Sequence, residues 1–503
     1  MGDGKLAMPE LEREPHASGV SSATRRSQAR RVPNFSIAIP NFGTMVLAGF
    51  DHVALGGNNK MKHKGAIGSG FPKNLSAATL TAVAISMPAG GLLAQGATEL
   101  NVQIQGGSEG KGFAKIIEMF NETHPDVTVN LQLLTGEQKT GTNLAVIGSN
   151  NAPDIAVVPL NTQVYTQALN ANALMPLTEL YQNTNLDDRV GNGIVSSFYV
   201  DGTPYIVPYL TNFYNVIYAN VDMFNEAGIE FPADHRIESI DQLIDWTNKF
   251  EENGHAALAI GGASGYLVSW MVDAFLPTIT DEATHTNFLQ SFDPNIEVTA
   301  RYDGPEFTMV IETLDRLNKA GFYQNGFLAM KGDASVTEWI VGNAALALGG
   351  NFDMPLIRGG EPNFEYDWLV LPSLGVNPGR LNLYYGDAMA IPRNAKQPEL
   401  AQEFLELMLS DRGQAAFLEI GLLPTVNSLS DDQLASIDPM IKAMLNDIGT
   451  NGGVVGWTSA VPGGLGQQFI EPLLQNMYVD STTPQEIAKK LQQRLVDFRA
   501  GRY

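Results

Sequence analysis

Between residues 98 and 134 a strand-like segment, a glycine-rich loop, a helical stripe and a second strand-like segment follow one another. In LNVQI apolar residues alternate, and QGGSEGKG comes next. Phe113, Ile116, Ile117 and Phe120 then recur at i, i+3, i+4 and i+7, one face of a helix that Thr123-His124-Pro125 stops. VTVNLQLL places Val127, Val129, Leu131 and Leu133 on one face at period two. Two strands joined through a helix pair in parallel, and a parallel sheet needs helices over its faces. The fold class that follows is α/β.

The rest of the chain keeps that alternation. A helix is expected through 137–149, a strand at DIAVV and a helix around 162–171, and Asp201-Gly202-Thr203-Pro204 supplies turn chemistry between FYV and YIVPY. Further helices are expected at 239–252, 305–320, 334–342, 397–420 and 484–499, with strands near 344–349, 367–371 and 387–391. At 503 residues the chain exceeds what one core supports, so at least two domains are expected.

From Met61 the chain reads as an export signal. Lys62, Lys64 and Lys73 form a basic region, Leu75 to Ile85 an apolar stretch too short and too Ala/Thr/Ser-rich to span a bilayer, and Ala94-Gln95-Gly96 a small-x-small cleavage site. Residues 61–96 are therefore expected to be a signal peptide cleaved near Gly96/Ala97. Residues 1–60, with the basic run SSATRRSQARR, are expected to be a disordered extension preceding a translation start at Met61.

Charge narrows the partners. Residues 1–96 hold 10 of the 31 basic and 5 of the 54 acidic side chains, which leaves 21 basic against 49 acidic in the remainder. Such a surface repels phosphate backbones and anionic lipid, which argues against nucleic acid and against a direct membrane anchor. Cysteine is absent, so disulfides, thiolate metal sites, a cysteine nucleophile and a lipid-carrying cysteine are excluded.

Several short motifs fail on context. Gly106-Gly107-Ser108-Glu109-Gly110 satisfies G-x-S-x-G between a strand and a helix. A nucleophile elbow, however, follows several strands and is completed by a late histidine, whereas here the last histidine is His285. A secreted hydrolase using Ser108 stays as the alternative of a different class. The same run has Gly112 where a P-loop needs Ser or Thr, and His124, His235, His255 and His285 show no zinc spacing. No metal, no cofactor and no catalytic residue are expected. The better reading of Gly107, Ser108 and Glu109 is a strand-to-helix loop whose free N–H groups meet ligand oxygens.

The order of segments resembles the family-1 extracellular solute-binding proteins, the group of maltose-binding and glycerol-phosphate-binding proteins. The resemblance covers 98–498 and rests on FNETHPDVTVNL, NAPDIAVVP, DGTPYIVPYLTNFYNVIYANVDMFNEAGI, TEWIVGNAALALGGNFD, WLVLPSLG and GDAMAIPRNAKQPELAQEFLELMLSDRGQAAFLEIGLLPT. It implies two discontinuous α/β lobes, 97–208 plus 387–428 and 213–384 plus 430–503, with a ligand cleft between them and hinges near 209–213 and 384–387. It also implies a non-enzymatic monomer that passes a neutral sugar, oligosaccharide or polyol to ABC permease subunits, with a glycerol-phosphate-type ligand the near alternative. The absence of the lipid-anchoring cysteine that some members carry departs from the family and favours a freely diffusing periplasmic protein.

A sugar needs flat aromatics for its C–H faces and Asp, Asn or Gln for its hydroxyls. By the resemblance, Tyr209, Asn212 and Phe213 at the first crossing, Asn351 and Asp353 after ALALGG, and Tyr385, Gly386 and Asp387 at the second crossing border the cleft. Trp457, flanked by glycines in GGVVGWTSAVPGG, is expected to stack on ligand, and Trp270 and Trp339 fit either a ligand contact or an apolar helix stripe. Trp246 and Trp368 are expected in the core.

Overall fold

A computed structural model describes residues 98–107, 109–135, 138–139, 143–160, 163–190, 198–384, 387–462, 464–479 and 481–502. The expected extension, export signal and cleavage site, together with Ser108, Tyr385 and Gly386, lie outside the described residues.

Strands Thr98–Gln105 and Val127–Leu134 pair in parallel from Thr98↔Val127 to Gln105↔Leu134, joined through helix Glu109–Asn121. Leu100, Val102 and Ile104 meet Phe113, Ile116 and Phe120 in one core, and burying such side chains contributes roughly 1.5–3 kcal/mol each. The expected alternation slips at its end, where Leu133 is half exposed and Leu134 is buried. Leu133 lies over Gly110, which has no side chain to cover it.

Parallel bridging of Val102 to Ile155 continues this layer into a three-stranded sheet in which Ala388–Ala390 lies between Ala156–Val157 and Val207–Pro208. Helices Pro398–Leu409 and Asp411–Leu418 pack on the same core through Phe404, Met408 and Phe417. They replace the single helix expected over 397–420. Ser410 stands in extended backbone between them, and its hydroxyl accepts from the Gly413 N–H at 3.1 Å, capping the second helix.

A second, six-stranded sheet is built round strand Asn212–Asn220, which pairs with Ala344–Gly350 on one edge and with both Tyr366–Val370 and Asn382–Tyr384 on the other. One face of it packs on helices Ile240–Glu252, Gly265–Ile279 and Pro305–Lys319, with Ile217, Phe250, Val268, Phe275 and Ile311 in that core. The other face holds Phe213, Val216, Tyr218, Trp339 and Trp368. The chain passes between the two sheet systems at 209–212, where Thr211 N–H donates to the Leu423 carbonyl at 3.1 Å and Leu210 bridges Pro424, and Tyr384 and Ala388 belong to different sheets.

Candidate functional site

Two chemically different surfaces meet where these passages lie. The first is charged. Gly107, at φ 92°, turns the chain out of the first strand with no atom within 4 Å of where its Cβ would stand. Glu109 then begins the helix with its carboxyl turned inward. It is only 8% exposed, and the Tyr209 hydroxyl donates to its Oε2 at 2.5 Å. Lys139 Nζ donates to Asp387 Oδ1 at 2.7 Å, with the two side chains 10% and 11% exposed. Burial, reinforced by the negative charge of Asp387, pushes the Glu109 carboxyl up to about 8, against the pull of Lys139 and of the Tyr209 hydrogen bond. The Glu109 site thus favours the protonated carboxyl.

The second surface is aromatic. Tyr266 and Trp270 stand four residues apart on helix Gly265–Ile279, so they share a face, with ring centroids 5.1 Å apart. Trp270 is also 4.5 Å from Tyr214 and 6.1 Å from Phe352, and Tyr214 is 6.4 Å from Tyr384. Tyr266 is 41% exposed, so the wall opens to solvent. Tyr384 joins the two surfaces. Burial, then the charges of Asp387 and Glu109, then Tyr266, hold its phenol well above the ordinary range.

The expected site residues divide accordingly. Glu109, Tyr209 and Asp387 come together, with Gly107 beside Glu109 in sequence, while Trp270 stands in the aromatic wall with Tyr214 and Tyr266. Asn212, Phe213 and Asn351 are tied to one another instead: Asn351 Oδ1 accepts from the Phe213 N–H at 2.7 Å, and its amide nitrogen lies 3.4 Å from Asn212 Oδ1. They brace the first passage. Asp353 accepts from the Gly350 N–H at 2.9 Å, and burial pushes its carboxyl up to about 7. Trp339 is wholly buried against Tyr218, Phe364 and Tyr366.

Trp457 departs furthest from expectation. It is 0% exposed, its Nε1 donates to the Tyr302 hydroxyl at 2.7 Å, and its ring lies 5.2 Å from Phe307. Its loop folds inward because Gly456 lets the Tyr214 hydroxyl and Asp273 approach where a side chain would stand, and Asp273 Oδ1 accepts from the Thr458 N–H at 2.9 Å. Lys139, Tyr214 and Tyr266 were not anticipated from the sequence. Among the described residues no group of three or more His, Cys, Asp or Glu side chains could hold a metal, and no helix is long and apolar enough to cross a membrane.

Residues 105–415 match the family described as bacterial extracellular solute-binding protein. A xylose/arabinose-binding protein, XacG, of Haloferax volcanii is 22% identical over 327 residues, covering 62% of this chain and 65% of that protein. A mannitol-binding protein of Pseudomonas aeruginosa is 23% identical over 283 residues, covering 53% of this chain and 59% of that one. The chain thus spans less than two thirds of the length of either relative. Among solved structures, a chitin oligosaccharide binding protein superposes with a TM-score of 0.67 at 16% identity, covering 80% of this chain and all of that one.

Proposed function

The chain belongs to the bacterial extracellular solute-binding protein family, and from that premise we propose that it captures a neutral sugar or polyol and delivers it to the permease subunits of an ABC importer. One observation carries this reading: the Trp270–Tyr266 wall continues through Tyr214 to Tyr384, three residues from the Asp387 that pairs with Lys139. An aromatic wall stacks on C–H faces, and a set of carboxyl, carboxylate, ammonium and phenol groups offers both donors and acceptors to vicinal hydroxyls.

The relatives named for pentoses and for mannitol favour a small polyhydroxylated ligand. The ammonium of Lys139 is already spent on Asp387, so this cluster offers a phosphorylated or carboxylated ligand no unpaired cation. The protein acts without turnover, as a monomer, in the periplasm after cleavage near Gly96/Ala97, with the chain crossings at 209–213 and 384–387 serving as hinges between lobes 97–208 plus 387–428 and 213–384 plus 430–503.

Thermal-shift screening with D-mannitol, D-xylose, L-arabinose, maltose and chitin oligosaccharides, followed by calorimetry and product analysis, tests this. A ligand at 100 times its Kd adds about 2.7 kcal/mol of stability. Saturable binding of at least one neutral compound without product is expected; product formation, or binding only of sugar phosphates, refutes the reading.

A further inference from the structure

Strand Asn212–Asn220 contains one residue that breaks its own rule. Tyr214 pairs with Gly350 and Val216 with Gly349, so Asn215 faces no partner on that edge. On the other edge Tyr214 pairs with Asn382 and Val216 with Val370, and Asn215 again falls between. Its φ of 62° is left-handed, a region that asparagine tolerates better than most residues. A bulge of one residue reverses the in-out alternation beyond it. Phe213 therefore shares a face with Val216 and Tyr218, while Tyr214 turns with Ile217 and Ala219 toward helix Gly265–Ile279. Without the bulge Tyr214 and Ile217 would point to opposite faces.

The Asn215 side chain, only 1% exposed, ties the bulge to that helix. Its Nδ2 donates to the Trp270 carbonyl at 2.8 Å and to Asn382 Oδ1 at 2.6 Å. Both neighbours are acceptors, since the Asn382 amide nitrogen is turned to the Asp273 carbonyl at 3.1 Å, so the orientation of the Asn215 amide is fixed. Its own Oδ1 is buried and accepts no hydrogen bond from the protein.

We propose that Asn215 is a positioning residue for ligand capture: its bulge turns Tyr214 under Trp270, and its amide fixes Trp270 against the ligand cleft. This rests on the reading of the cleft as a sugar or polyol site.

Two substitutions test it. Asn215→Gly permits the left-handed backbone and deletes both donated hydrogen bonds; Asn215→Asp keeps the shape and sets an oxygen against two acceptors. The first readout needs no ligand. Acrylamide quenching and emission of Trp270, isolated by subtracting Trp270→Phe variants of each protein, should show at least a twofold rise in quenching and a shift to the red, with the other four tryptophans unchanged. The second readout is calorimetry with whichever neutral compound of the screen the parent binds, where affinity should fall about tenfold.

Trp270 signals and affinity equal to the parent in Asn215→Gly, even with a lowered melting temperature, would show Asn215 to be merely structural and overturn the proposal. If Asn215→Asp does not fold, Asn215→Gly decides alone. If the parent binds none of the compounds, the sugar-binding reading fails separately, and the quenching measurement still decides the positioning.

Discussion

Lys139 Nζ sits 2.7 Å from Asp387 Oδ1, an ion pair between residues 248 apart in sequence and almost sealed from solvent. Removing one partner of such a pair strands a desolvated charge, which costs about 3–5 kcal/mol, whereas removing both with apolar replacements of similar size is near neutral. Lys139→Met and Asp387→Leu should each destabilise strongly, and the double variant should recover most of the loss. Urea unfolding of all four proteins measures the coupling; additivity of the two single losses would show that the pair contributes nothing.

Glu109 gives stability a pH dependence whose sign follows from its surroundings. Its carboxyl rises from an ordinary 4.5 to about 8 in the folded protein, so across that window the folded state binds more protons than the unfolded one. Stability then falls as pH rises. Asp273 and Asp353, pushed up to about 7 by burial, act with the same sign. His285 opposes them only at lower pH, since burial holds its ring below 6.5 and acidification through that value destabilises. Between about pH 6.5 and 8 the melting temperature should therefore decline, and Glu109→Gln should flatten the decline while still accepting from Tyr209. A Glu109→Gln slope as steep as the parent's would remove Glu109 from this account.

Asp353 separates a bracing role from a ligand-binding one. Its carboxylate accepts from the Gly350 N–H, and the amide oxygen of an asparagine in its place would accept equally well without burying a charge. Asp353→Asn should hold or raise stability at pH 8, while Asp353→Ala should cost about 1–3 kcal/mol for an unsatisfied buried donor. Affinity for whichever neutral compound the parent binds should stay within about threefold in both. A loss of a hundredfold in calorimetry, with normal melting, would instead place Asp353 on the ligand.

The opening parallel unit was legible because Leu100, Val102 and Ile104 alternate and Phe113, Ile116 and Phe120 mark a stripe, patterns that arise wherever one face is buried and the other wet. The central strand Asn212–Asn220 carries no such signal: all nine of its residues are buried, and without a wet face there is no alternation to read. The family resemblance brought Tyr209 and Asp387 into view, and the strand-to-helix loop brought Glu109, though for its backbone N–H groups rather than its carboxyl. Lys139 stayed hidden because its partner is fixed by the meeting of distant segments. The four-residue spacing of Tyr266 and Trp270 was a usable signal, since a helix over them sets both rings on one face. Trp457 misled because glycines around an aromatic suggest an open loop; here Gly456 instead admits Tyr214 and Asp273, and the indole is drawn inside.

Trp457 consequently loses the stacking role that a surface-loop reading assigns it, and Trp270, which the sequence left open between ligand contact and helix stripe, becomes the candidate. Trp457 is enclosed by Tyr302 and Phe307, so Trp457→Ala should cost about 3–5 kcal/mol of stability through the cavity it leaves, and it also strips the Tyr302 hydroxyl of a donor. The fraction that remains folded should bind ligand within about twofold of the parent, because no ring face is lost from the cleft. Trp270 is only partly buried and shares its face with exposed Tyr266, so Trp270→Ala should weaken binding about tenfold or more, each 1.4 kcal/mol of lost stacking being a factor of ten, with a smaller fall in melting temperature. Calorimetry at a temperature where every variant is folded, set beside thermal melts of the free proteins, measures both quantities. Were Trp457→Ala to melt normally yet fail to bind, the cleft would lie along the 454–461 loop rather than between Trp270 and Asp387.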